Sequence, residues 1–258
     1  MRHLFTQRGQ AALAAALRRR PLLAFDFDGT LAPIELLPEQ ARVPSAVAGQ
    51  LAALAARAPV AIVTGRAVAD VRGLLGFVPQ YIVGNHGAED GDEAPADGPA
   101  LARALDPLRR MLSAQTATLA EAGVRVEDKG LSLALHYRLA PSPDAAVALI
   151  RDLLSQLLQP LHIFPGKMVV NAMAAHAPDK ADAVRRLQAR SGAGAVFYVG
   201  DDVNDEPVFR SATAHWLTVR VGREDRASHA RFFLDSVGEM APLLERLLTL
   251  LPALQQRG

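Results

Sequence analysis

The sequence predicts an α/β fold in which a parallel-sheet core, covered by helices on both faces, is interrupted by a smaller α+β insert. Three observations predict it. Short apolar, β-branched runs alternate with helix-period segments from Leu22 to Gly87, as strands joined by crossover helices require. Between residues 101 and 174 the order changes to helix, two strands, helix and a strand pair, which suits two helices lying on an antiparallel sheet. The strand–helix alternation then resumes, so the core occupies 1–100 and 175–258 and the insert 101–174.

The elements follow in order. Arg2 and Arg8 precede the Ala-rich run Ala11–Leu17, which ends in Arg18-Arg19-Arg20 rather than at a small-residue cleavage site. It leads directly into a strand and reads as an amphipathic helix of a cytoplasmic protein, not as a signal peptide. Leu22–Phe27 is the first core strand. A helix follows at about Ser45–Arg57, opening on Ser45 after Pro44, and Val60–Val63 is the second strand. Thr64 is expected to start the next helix, and Tyr81–Gly84 is the third strand.

Asp, Glu, Gly, Pro and Ala fill Glu89–Pro99, an exposed loop or short hairpin beside a domain boundary. The insert is expected to hold one helix over Pro99–Ala122, strands at Val124–Glu127 and Leu131–Arg138, a helix at Pro143–Leu158 and a strand pair within Leu161–Asn171. The core resumes with a helix at Lys180–Arg190, the strand Ala195–Val199, an acidic turn at Gly200–Asp205, the strand Trp216–Val219 and a closing helix at Pro242–Leu250.

Composition excludes several functions. With 258 residues, of which 50% are hydrophobic and only 5% aromatic, the core must be filled by Ala, Leu and Val. The 28 basic residues balance 27 acidic ones, without a long single-sign block, which gives nucleic-acid binding no support. No cysteine is present, so disulfides, thiolate catalysis and cysteine-held metals are excluded. No run approaches the ~18 apolar residues of a membrane span.

Asp26 and Asp28 lie two apart at the end of a buried strand, and Gly29-Thr30 turns the chain at the carboxyl edge of the sheet, where open α/β folds bind ligands. Two carboxylates in one small volume repel, so either one stays protonated as a general acid or a cation sits between them. Taken alone, Asp28-Gly29 is also an ordinary turn. Gly200-Asp201-Asp202-Val203-Asn204-Asp205 puts three carboxylates in one turn, with no basic residue in the following sequence until Arg210. Such hard oxygen donors suit Mg²⁺, although a solvated acidic turn has the same composition. Thr64-Gly65-Arg66 stands at a strand-to-helix junction where a phosphate oxygen can be held, or where Thr64 only caps a helix. Lys180 opens another helix. Together a carboxylate nucleophile, a hydroxyl, a cation and an acidic metal turn make a phosphoryl-transfer set.

Asp26-Phe27-Asp28-Gly29-Thr30, Thr64-Gly65-Arg66, Lys180 and Gly200–Glu206 resemble, in order and spacing, the four motifs of the haloacid dehalogenase superfamily of phosphatases. Gly84-Asn85-His86-Gly87-Ala88-Glu89, Glu127-Asp128-Lys129-Gly130 and Ala134–Arg138 resemble its trehalose-6-phosphate phosphatases. The resemblance implies a Rossmann-like core with an inserted cap. It implies that Asp26 is the nucleophile, Asp28 the acid and then base, and Thr64 and Lys180 the phosphate holders. Mg²⁺ would be held by Asp26, the Asp28 main-chain carbonyl and Asp201, while Asp202 and Asp205 stand behind it or orient Lys180.

Gly65, Arg66, Asn85, His86, Glu127, Lys129 and Asn171 would contact the substrate, a sugar phosphate. His136 and Tyr137 read as packing residues. The implied partner is a small molecule, with no nucleic acid or membrane, and the chain is expected to be a monomer or small homo-oligomer. One stretch departs from the family pattern. Where the family carries Val-Val-Glu-x-Lys/Arg-Pro, this chain has Val169-Val170-Asn171-Ala172-Met173-Ala174, and Lys180 is followed by Ala181 rather than Gly.

Overall fold

The computed structural model describes the whole chain except residues 94, 96, 224–227 and 252–258. In chain order its elements are β1 (Arg2–His3), α1 (Gln7–Leu17), β2 (Pro21–Phe25), α2 (Ser45–Ala55), β3 (Val60–Val63), α3 (Val68–Arg72), β4 (Tyr81–Gly84) and β5 (Glu89–Asp90). Then come α4 (Gly98–Ala104), α5 (Asp106–Ala114), α6 (Thr116–Glu121), β6 (Arg125–Asp128), β7 (Ser132–His136), α7 (Pro143–Ser155), β8 (Leu161–Gly166) and β9 (Val169–Ala174). The last are α8 (Lys180–Ser191), β10 (Ala195–Gly200), α9 (Glu206–Arg210), β11 (Trp216–Val221), β12 (Phe232–Leu234) and α10 (Met240–Leu250).

The chain forms two compact units, one of Met1–Asp92 with Asp179–Gly258 and one of Glu93–Pro178. The insert is thus wider than 101–174, because α4 packs on β9 and belongs with it. The first unit holds an eight-stranded sheet in the order β1-β12-β11-β10-β2-β3-β4-β5. Every pairing in it is parallel except that of β4 with β5. Strand order runs outward from β2 in one direction through β3 and β4, and from β10 in the other. The crevice between β2 and β10 is therefore a topological switch point, where the connections diverge and a ligand can enter.

Burial on both faces explains why β2, β3 and β10 read as largely apolar runs. One face packs Leu23, Phe25, Ile62 and Phe197 against Leu13, Leu51, Leu243 and Leu247. The other packs Leu22, Val63 and Tyr198 with Val184, Leu187 and Phe209.

The second unit is a four-stranded antiparallel sheet, β6-β7-β9-β8. Leu133, Leu135 and Ala172 on one face of it join Leu108, Leu112, Leu119, Ile150 and Leu153 in a separate core.

Three expectations need correction. The helix expected over Pro99–Ala122 is three helices, α4, α5 and α6. Pro107 falls in the first turn of α5, and a proline there lacks an amide to continue a preceding helix and restricts the residue before it. The helix after β3 starts at Val68, not Thr64, with Ala67 extended ahead of it. The short strands β1, β5 and β12, each two or three residues, were not anticipated. They are too short for an alternating pattern and exist because a neighbouring strand offers its edge. Among the described residues no helix is long and apolar enough to cross a membrane.

Candidate active site

Adjacent strands deliver the site residues from their carboxyl ends. Asp26 immediately follows β2, and its N–H extends the ladder by donating to the Val199 carbonyl at 2.9 Å. Asp201 immediately follows β10, and Thr64 follows β3, its N–H donating to the Val83 carbonyl at 2.9 Å. Asn85 and His86 follow β4. Lys180 is the first residue of α8, whose start is fixed by a capping box between Asp179 and Asp182.

Lys180 is 1% exposed and stands between two carboxylates, with Nζ 3.0 Å from Asp26 Oδ1 and 2.8 Å from Asp205 Oδ1. Asp205 is fully buried and saturated. Its Oδ1 accepts from Lys180 and from the Tyr198 hydroxyl at 2.6 Å, and its Oδ2 accepts the N–H groups of Asp201 at 2.9 Å and Asp202 at 3.0 Å. Of the three carboxylates in the acidic turn, Asp205 is thus paired with a lysine distant in sequence and with amides of its own turn.

Burial dominates the electrostatics. Desolvation pushes the Asp26 carboxyl well above the ordinary carboxylate range; Lys180 pulls it back, while the charges of Asp205 and Asp201 push it further up. For Lys180, burial opposes the charge, but Asp205 and Asp26 outweigh it and raise its proton affinity. Burial and the neighbouring carboxylates raise Tyr198 as well, so its hydroxyl remains a donor.

A metal fits this donor set. Carboxylate oxygens of Asp26, Asp201 and Asp205 come within 4.8 Å of one another, all three residues being buried. One ammonium faces three carboxylates, and the only donor atoms are hard oxygens, as a magnesium ion prefers. In the same turn Asn204 Oδ1 is buried without a hydrogen-bond partner. Gly29, at φ +76°, lies directly under the Asp201 carboxylate, which a Cβ at this position would strike.

Asp28 takes a different partner from Asp26. Arg66 grips it with a two-pronged pair, Nε to Oδ2 at 2.8 Å and an Nη to Oδ1 at 2.6 Å, while its guanidinium lies 5.1 Å from the Phe27 ring centroid. Thr64 Oγ1 accepts the Arg66 N–H at 3.2 Å. Asn85 and His86 both have positive φ, +46° and +56°, a conformation that costs about 1–3 kcal/mol per non-glycine residue and is held only by its surroundings. Their N–H groups donate to the Arg66 and Thr64 carbonyls at 2.8 and 2.9 Å. Glu89 Oε2 accepts from Asn85 Nδ2 at 2.7 Å and from the Val68 N–H at 3.0 Å, which ties this turn to the start of α3. Gly65 has no Cβ because the His86 imidazole occupies that space.

Among the expected substrate-contacting residues, Glu127, Lys129 and Asn171 belong to the second unit. The sheet register aligns Glu127 with Ala134 and Ala134 with Asn171, so Glu127 and Asn171 share one face, and Lys129 follows just past the end of β6. His136 does more than pack, since its Nε2 is 2.7 Å from Glu127 Oε2.

Sequence reasoning missed Tyr198, Glu89 and the Glu127 contact of His136. Tyr198 carried one signal, a polar tip in an otherwise apolar strand two residues before Gly200.

A Rossmann-like sheet with an acidic site at its switch point, interrupted by an α+β insert, is the architecture of haloacid dehalogenase phosphatases. The chain belongs to the trehalose-phosphatase family, whose model matches residues 24–237. It is 34% identical over 250 residues to the trehalose-phosphate phosphatase of Mycolicibacterium paratuberculosis, a match that covers 89% of this chain and 62% of that protein. The chain therefore spans less than two thirds of that relative's length. The C-terminal domain of a Candida albicans trehalose-6-phosphate phosphatase superposes with a TM-score of 0.80 at 20% identity, over 94% of this chain and 98% of that one. The sucrose-phosphatase of Synechocystis shares the fold at a TM-score of 0.58 and 18% identity, over 89% and 98% of the two chains.

Proposed function

We propose that this chain is a magnesium-dependent phosphatase that hydrolyses trehalose 6-phosphate to trehalose and inorganic phosphate in the cytoplasm, as a monomer or small homo-oligomer. The observation that carries this reading is the buried Asp26–Lys180–Asp205 array beside Asp201 in a chain of the trehalose-phosphatase family.

In this mechanism an Asp26 oxygen attacks phosphorus and the bond from phosphorus to the sugar oxygen breaks, leaving a phosphorylated Asp26. Asp28 gives its proton to the departing sugar oxygen. It then removes a proton from the water that attacks the same phosphorus and releases phosphate, dividing one hard displacement into two easier ones. For Asp28 to carry that proton its pair with Arg66 must open, and a phosphate offers Arg66 an equivalent two-pronged partner. Lys180, Thr64 and the Gly65 and Arg66 amides hold the phosphoryl oxygens. Mg²⁺, when held by Asp26, Asp201 and the Asp28 main-chain carbonyl, with Asp202 alongside, supplies positive charge against the transferring group. Asp205 keeps Lys180 charged and directed.

Glu127, Lys129 and Asn171 recognise sugar hydroxyls, with Asn85 and His86 contributing beside the phosphate. Asn171 in place of the family glutamate forgoes a charge-assisted bond of about 1.5–3 kcal/mol. That residue, with Met173, favours a second reading, a phosphatase of another disaccharide or glycosyl phosphate.

The test is phosphate release from trehalose 6-phosphate, glucose 6-phosphate and sucrose 6-phosphate, each with Mg²⁺ and with EDTA. EDTA-sensitive release selective for trehalose 6-phosphate is expected. Preference for another sugar phosphate would leave the chemistry and replace the substrate, and inertness toward all of them would make the chain a sugar-phosphate-binding module. Asp26→Asn should abolish turnover while the chain stays folded.

A further inference from the structure

We propose that Glu89 is a positioning residue for phosphate binding, locking through one carboxylate oxygen the turn that spaces the Thr64–Arg66 loop from Lys180. The inference rests on the functional reading above and names a residue that acts through its phosphate-holding groups.

The turn is Gly84–Gly87, between β4 and β5, and it is packed on two sides. On one side the Asn85 N–H donates to the Arg66 carbonyl at 2.8 Å and the His86 N–H to the Thr64 carbonyl at 2.9 Å, while the imidazole fills the space where Gly65 has no Cβ. On the other, a Cβ on Gly87, at φ +118°, would strike the Asp179 carbonyl and the Lys180 amide. Arg186 of α8 closes that side, its Nη2 donating to the Gly87 carbonyl at 2.9 Å. The turn is therefore a wedge between the two elements that carry the phosphate holders. Its thickness depends on its conformation. Asn85 and His86 are consecutive residues at φ +46° and +56°, a region that non-glycine residues leave unless their surroundings hold them.

Glu89 supplies the hold at Asn85. The hairpin pairs Glu89 with Gly84, and the Glu89 carboxylate lies over Gly84 in space that a Cβ there would contest. In that position Oε2 accepts from Asn85 Nδ2 at 2.7 Å and from the N–H of Val68, the first residue of α3, at 3.0 Å. One oxygen thus joins the first left-handed residue of the wedge to the helix that follows the Thr64–Arg66 loop.

Because a single oxygen accepts both bonds, reach and charge can be separated. A glutamine can put its carbonyl oxygen where Oε2 stands and accept from both donors, whereas an aspartate keeps the charge and ends one methylene short. If Glu89 acts by holding the wedge, the neutral variant is the better substitute. If it acts by its charge, the order reverses.

The experiment measures, on the full chain with Mg²⁺, the Kd for inorganic phosphate by calorimetry and kcat and KM on trehalose 6-phosphate and p-nitrophenyl phosphate. Glu89→Asp should weaken phosphate binding and lower kcat/KM on both esters by about tenfold. Glu89→Gln should stay within about threefold of wild type in all three. In an Asn85→Ala background, where the amide is gone, Glu89→Asp should cost less than it does in the wild type. Phosphate affinity retained in Glu89→Asp, even with a lowered melting temperature, would overturn the proposal. So would a loss in Glu89→Gln as large as that in Glu89→Asp, or a full additional loss in the Asn85→Ala background. Should Glu89→Asp not fold, Glu89→Gln decides: wild-type phosphate affinity supports the proposal and a tenfold loss overturns it. A wild-type chain that binds phosphate but turns over neither ester would refute the functional reading while the affinities still decide the role of Glu89, and one that binds no phosphate would overturn both.

Discussion

Lys180 and Asp26 form a buried ion pair at 3.0 Å across the switch point of the sheet, joining the first residue of α8 to the first residue past β2. The pair is stable in an apolar surrounding because Asp205 shares the ammonium at 2.8 Å and is itself satisfied by Tyr198 and two backbone amides.

Removing the ammonium should therefore cost both stability and rate. Lys180→Met strands two buried carboxylates, a loss of about 3–5 kcal/mol in urea unfolding without metal. It should also lower kcat by about 10²–10³-fold, as losing one preorganised charge partner of the transition state does. A variant with near-wild-type kcat would remove Lys180 from the chemistry.

Tyr198→Phe isolates a finer contribution. The ring stays in its apolar setting while Asp205 Oδ1 loses one donor, so unfolding free energy should fall by about 1–3 kcal/mol. Because Lys180 is then less firmly held, kcat should drop with KM nearly unchanged. An effect confined to KM would contradict this placement.

Glu127 makes a pH-dependent contribution whose sign follows from its lowered proton affinity. The carboxyl is held at about 2, against 4.5 for an unperturbed glutamate, so the folded chain binds this proton less readily than the unfolded one. Its stabilising effect is complete above pH 4.5 and is lost as pH falls toward about 2. Glu127→Gln should be less stable than wild type at neutral pH, and the gap should close on acidification when both are followed by chemical denaturation.

Magnesium should stabilise the folded chain, raising its melting temperature by an amount that grows with the logarithm of concentration above Kd. Asp201→Asn should abolish most of that gain. Since the Asp26 carboxyl is raised well above the ordinary range, protons compete with the ion, and the gain should shrink on acidification. A magnesium shift that survives in Asp201→Asn would place the ion elsewhere.

The sequence by itself determined the α/β class, the interruption by an insert and the positions of Asp26, Thr64, Lys180 and Asp201, because each follows a buried apolar strand or opens a helix. Local chemistry announces such places: an unbroken apolar run ends abruptly in carboxylates, or a capping aspartate precedes a lysine. Only the tertiary structure decided which charge faces which. That Lys180 neutralises Asp205, that Arg66 grips Asp28 and that His136 binds Glu127 depends on strand order and register, which bring together residues 25, 38 and 9 positions apart in the chain. The short strands β1, β5 and β12 escaped notice for the same reason, since two or three residues carry no period of their own and pair only because a neighbouring edge is present.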